Sequence, residues 1–179
     1  MVKLIILLIG FIGDILVDSL LIGSTIARSF SITPNLLFIS LIIVTYKEHK
    51  FNSILIAIFT GLLMDSMNRD VIFLYTIVYL ATVLIVQAWT SVINYSIIEI
   101  FLTVLAAVFV KEFMMFIYYT NLAGVTMSLN TYLLNHFVAT ILFDIPLILI
   151  YSFVKKRAIE EDIYKQRQNR RRASMDNRY

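Results

Sequence analysis

Six apolar runs, each bounded by a few polar or charged residues, take up nearly all of residues 4–154. They cover 4–27, 32–46, 51–67, 71–89, 97–120 and 133–154. Arg28 closes the first, Lys47-Glu48-His49-Lys50 the second and Asn68-Arg69-Asp70 the third. A polar run from Thr90 to Ser96 separates the fourth from the fifth, and a turn-like segment with Asn121, Gly124 and Asn130 leads to the sixth. Pro34 suits the opening turn of the second run. A bilayer-spanning helix needs about 20 apolar residues. The pattern therefore predicts an all-α, polytopic membrane bundle of six transmembrane helices (1–154), followed by a soluble basic tail (155–179). The second and third runs are short, since 15 residues reach only ~22 Å against ~30 Å of hydrocarbon. A re-entrant hairpin would place Lys47, Glu48, His49 and Lys50 near the membrane midplane, which costs more than two short crossings with local thinning. Two crossings are the expectation.

Composition supports a lipid environment. The chain is 60% hydrophobic, with a mean hydropathy of +0.85, where soluble domains hold about 45–50% apolar residues. A globule of 179 residues cannot hide that excess, because small domains leave much of their surface exposed. The start, Lys3 followed by apolar residues, superficially resembles a signal peptide. The run is too long, lacks a small-residue cleavage site and is interrupted by Asp14 and Asp18, so it reads as the first membrane helix. With no cysteine and two distant histidines, His49 and His136, neither a disulfide nor a metal site is expected. No hydrolase, metalloprotease or nucleotide-binding motif occurs, so no enzyme and no cofactor are expected.

The net charge of +3 conceals a strong asymmetry. Nine basic residues, Arg170, Arg171 and Arg172 among them, lie in the last 25 positions. Beside a membrane helix this signals topology and contact with anionic lipid or a cytoplasmic partner, not nucleic acid. With both termini inside, Lys3, Lys47, Lys50 and the tail put twelve lysines and arginines on the cytoplasmic side, against Arg28 and Arg69 outside. Trp89, Tyr46, Tyr118, Tyr119 and Tyr151 sit near run ends, as interfacial aromatics do. Ile159 and Ile163, with the Glu161–Lys165 pair, suggest a helical start to the tail.

Charges at membrane depth need a reason. Asp14 and Asp18 share one face of the first helix, ~15 and ~21 Å from its cytoplasmic end. Lys111 falls ~21 Å into the fifth helix, so an Asp18–Lys111 pair is expected. Asp144 comes at about the depth of Asp14, where two touching carboxyls would share a proton. These four residues read either as polar glue between helices or as a proton or substrate path, and glue is the simpler reading. Pro146 removes one backbone hydrogen bond, near Leu142, beside Asp144. Ser19-x-x-x-Gly23 allows close helix packing. Gly61 admits a neighbour, and Asp65, one turn later, reads as a capping or solvated acid near Arg69. No internal repeat is evident in the sequence.

The segment ITPNLLFISLIIVTYKEHKFNSILIAIFTGLLMD resembles the MreD family of rod shape-determining proteins. The matching residues are Pro34, Asn35, Leu36 and Leu37 at the start of the second helix, then Gly61, Leu62, Leu63 and Asp65 at the end of the third. Asn35 stands where the family usually has an acid, and Asn68-Arg69-Asp70 replaces a glycine-rich turn. The resemblance implies a non-enzymatic protein of the bacterial inner membrane that binds MreC and helps organise lateral peptidoglycan synthesis. MreB, RodA and a class B penicillin-binding protein are the further partners it implies. It also implies a fold like that of substrate-binding subunits of energy-coupling-factor vitamin transporters. Such a subunit is the alternative reading, although its usual alanine-based groove motif is missing: the first run has only Ala27.

Overall fold

The computed structural model describes residues 2–21, 33–67, 73–90, 96–121 and 128–176. All regular structure among them is helical. The helices are α1 (Val2–Leu21), α2 (Leu36–Thr45), α3 (Lys50–Met67), α4 (Leu74–Thr90), α5 (Ile97–Asn121), α6 (Leu129–Tyr132) and α7 (Val138–Asp176). A π-helical turn, Leu133–Phe137, joins α6 to α7 without a break. Arg28, Gly23, Arg69 and Gly124, with the expected ends of the first run and starts of the second and fourth, lie outside the described residues.

On α1 and α3 polarity runs inside out compared with a soluble protein. Buried positions on α3 are Ser53, Ala57, Thr60 and Gly61, whereas Phe51, Leu55, Phe59 and Leu62 face outward. On α1 the buried residues are Gly10 and Asp14, while Leu4, Ile5, Leu8, Ile9, Ile12 and Leu16 are exposed. Small and polar residues at helix interfaces, with large apolar ones outside, are what a helix bundle in lipid requires. Several buried hydroxyls are satisfied within their own helices: Thr45, Thr60, Thr82 and Thr103 each donate to the carbonyl four residues earlier. Among the described residues, three helical segments are long and apolar enough, by length and composition, to cross a membrane: Lys50–Met67, Ile97–Asn121 and Val138–Glu161.

At the centre stands α2. All ten of its residues are buried, and it touches α1, α3, α4, α5 and α7. It is shorter than the expected run of 32–46, reaching only ~15 Å, because Thr33, Pro34 and Asn35 are not helical. The chain leaves the helix through Lys47, which adopts a left-handed conformation (φ 55°). Tyr46, expected at an interface, is buried.

A short helix inside an apolar bundle leaves orphan N–H and C=O groups that no water reaches. Neighbouring helices satisfy them. Asp14 of α1 accepts the backbone N–H of Leu36 (2.7 Å) and of Leu37 (3.0 Å). At the other end Gln87 of α4 donates to the Thr45 carbonyl (2.7 Å) and to Ser53 Oγ (2.9 Å).

The same clamp recurs between α3 and α4. Asp65 accepts the N–H of Tyr75 (2.9 Å) and of Thr76 (3.0 Å) and the Thr76 hydroxyl (2.6 Å). In both cases a glycine lies one turn before the acid. A Cβ on Gly10 would fall 2.9 Å from the Leu36 carbonyl oxygen, and one on Gly61 would collide with the backbone of Thr76. Glycine lets the next helix approach, and aspartate then caps it. Gly10-x-x-x-Asp14 and Gly61-x-x-x-Asp65 thus make the same kind of local contact at two helix starts.

Pro146 lies within α7 and is exposed. The buried positions of α7 among the described side chains, Thr140, Asp144, Ile148 and Ser152, recur every four residues and form one stripe. The helix then continues to Asp176, about 58 Å in all. The expected boundary at residue 154 is therefore no structural break. Lys156 and Glu160 form a one-turn ion pair at 3.6 Å. The side chains of Ile163, Lys165, Arg170, Arg171 and Arg172 lie outside the described residues.

Candidate functional site: a buried polar cluster beneath a cavity

Where α1, α3 and α5 end and α2 and α4 begin, the bundle encloses a cluster of charged groups. Its centre is Asn35, the residue just before α2, which is 2% exposed. The Asn35 amide oxygen accepts from Lys111 Nζ (2.5 Å). Its amide nitrogen donates to Asp144 Oδ2 (2.7 Å) and more loosely to Glu112 Oε1 (3.3 Å). One amide can serve an ammonium and two carboxylates because it carries both an acceptor and two donors. Asn35 thereby links α2 to α5 and α7.

Lys111 and Glu112, neighbours on α5, pair at 2.8 Å and are both almost fully buried. Glu112 Oε2 also accepts the Tyr132 hydroxyl (3.0 Å) and lies 3.2 Å from His136 Nε2. Tyr132 ends α6, and His136 lies in the π-helical turn, so that irregular turn presents both groups to one carboxylate. Such turns are frequent at functional sites.

The sequence expectations fare unequally. Asp14, Lys111 and Asp144 are all buried. The expected Asp18–Lys111 pair does not form: Lys111 is taken by Glu112 and Asn35, and Asp18 is exposed. Asp14 and Asp144 do not hydrogen-bond each other either. Asp14 caps α2 and Asp144 holds the Asn35 amide, while Asp144 Oδ1 has no partner among the described residues. Of the motif residues, Pro34 and Asn35 lead into α2, and Leu36 and Leu37 open it. Gly61 and Asp65 make the second clamp, and Leu62 and Leu63 lie beside them on α3. His49 is exposed in the α2–α3 connection.

Above the cluster lies a cavity of about 370 Å³, within the size range of small-molecule sites. Asn35, Lys111 and Glu112 form part of its wall, with Tyr75, Tyr79 and Tyr119 around them and Asp18 at the edge. Tyr75 and Tyr79 meet edge to face at 6.0 Å. No group of His, Asp and Glu residues suited to a metal ion occurs among the described residues. The chain matches no protein-family model, no curated protein and no solved structure.

Proposed function

We propose that the chain is a non-enzymatic, MreD-like membrane component of the bacterial elongation machinery that binds MreC and helps organise lateral peptidoglycan synthesis. The observation that carries this reading is the position of the motif residues. Pro34–Leu37 and Gly61–Asp65 are spent on holding helices together, as a scaffold needs, rather than on presenting reactive groups. On this reading α1, α3, α4, α5 and α7 cross the inner membrane, and the short α2, buried among them, is the sixth segment. The basic extension of α7 lies in the cytoplasm, and the cavity end faces outward. Outward-facing apolar surface on α1 and α3 offers room for the membrane helix of MreC. MreB, RodA and a class B penicillin-binding protein complete the assembly, the first of them within reach of the α7 extension. Depleting the protein in a rod-shaped host tests the proposal: cells should round up, and retained rod shape would overturn it.

A second reading is favoured by the cavity. A substrate-binding subunit of an energy-coupling-factor transporter needs a pocket at the outer end of the bundle, lined by aromatic and polar groups. The cavity bounded by Tyr75, Tyr79, Tyr119 and the Lys111–Glu112 pair is of that kind. Tight retention of a vitamin by the purified protein, with uptake of that vitamin lost on deletion, would replace the scaffold reading with this one.

A further inference from the structure

Among the described residues the cavity wall holds two carboxyl groups, Asp18 and Glu112, one ammonium, Lys111, and the His136 imidazole, which lies 3.2 Å from Glu112. Lys111 and Glu112 neutralise each other at 2.8 Å. That leaves Asp18, which makes no hydrogen bond or ion pair with the described residues and stands at the exposed edge. Behind the wall Asp144 adds a further carboxyl through Asn35, with one oxygen unpartnered.

The remaining lining is aromatic. Tyr75, Tyr79, Phe116, Tyr119 and Tyr132 all border the space. Tyr79 is only 1% exposed. Ring faces carry negative potential and attract cations with an apolar body. An anion would face Asp18 and find the Lys111 charge already neutralised.

We propose that this cavity binds a small organic cation, a substituted ammonium whose charge lies against the tyrosine rings and the Asp18 carboxylate. Its alkyl body fills the space beside Phe116 and Met115. The inference holds whether the chain serves as scaffold or as carrier.

Choline is a suitable probe, with 3,3-dimethylbutanol as its uncharged twin of equal shape. The full chain, purified in a maltoside detergent, is heated with either compound at constant ionic strength. Choline should raise the unfolding temperature saturably and dimethylbutanol should not. Asp18→Asn alters an exposed residue outside the buried network, so its fold is preserved. It should need about five-fold more choline for the same rise, the worth of roughly 1 kcal/mol. Tyr119→Leu should weaken the response by a similar factor. Equal responses to the charged and uncharged compounds, stabilisation by inorganic phosphate instead of choline, or no saturable response to choline in the folded protein would each overturn the proposal.

Discussion

Asn35 shows how one side chain decides whether the buried charges are compatible. An acid there would face Asp144 and Glu112 with only Lys111 to offset three carboxylates, whereas the amide donates to both. Asn35→Asp should therefore destabilise the bundle by about 2 kcal/mol or more, measured by unfolding in mixed micelles, while Asn35→Ala should cost a comparable amount by removing a hydrogen-bond partner from both Lys111 and Asp144. Lys111→Met should cost about 3 kcal/mol because it strands Glu112, and adding Glu112→Gln should recover much of the loss. Coupling of Lys111 to Asp18 in the same double-mutant cycle, with none to Glu112, would contradict the arrangement. Sequence alone made Lys111 conspicuous as a charge in an apolar run but did not reveal its partner. Adjacent residues on a helix point about 100° apart, so Glu112 is not the neighbour that helical spacing favours. The Lys111 side chain is long enough to turn back to it. Gln87 was silent for another reason: one amide near a run's end carries no charge and breaks no periodicity.

At the scale of elements, the two glycine–aspartate clamps explain why short helices persist inside the bundle. Asp14→Ala leaves two buried N–H groups of α2 unsatisfied and should cost about 2 kcal/mol, while Asp65→Ala, in a half-buried setting, should cost about 1 kcal/mol. Gly61→Ala should be worse tolerated than Gly13→Ala. The added methyl on Gly61 meets the backbone of Thr76, whereas on Gly13 it meets the mobile end of Leu36 at 3.0 Å. Equal thermal stability of these two variants would contradict the close approach of α3 to α4. The start of α1 is tied to the α2–α3 connection by Lys3, which donates to Glu48. That hydrogen bond holds the Glu48 carboxyl below its ordinary value of 4.5. Its contribution is complete above that value and fades as pH falls through the lowered one. Lys3→Ala should thus reduce stability at neutral pH by less than about 1 kcal/mol, since Lys3 is half exposed, and the two proteins should converge in acid. The sequence made Asp65 readable as a cap, but the length of α2 was not readable. The apolar pattern opens the helix at Ile32, ahead of Thr33, Pro34 and Asn35, whereas the capture of Leu36 and Leu37 by Asp14 marks where it starts.

For the molecule as a whole, the apolar runs already specified an all-helical protein too hydrophobic for water, and the inside-out burial of Ser53, Thr60, Thr82 and Asp144 agrees with them. The cavity was far less visible, because its wall draws residues from six stretches of chain and no local pattern joins Asn35, Tyr79, Lys111 and Tyr132. The scaffold reading makes its sharpest claim about assembly. Tagged protein co-expressed with the host's MreC homologue and extracted in mild detergent should elute with it as one monodisperse peak. Gly61→Trp, which forces α3 from α4, should disperse that peak, whereas Arg170→Ala, in the α7 extension, should leave it whole. MreC eluting apart from folded wild-type protein, with a small molecule or an energy-coupling subunit retained in its place, would contradict the account.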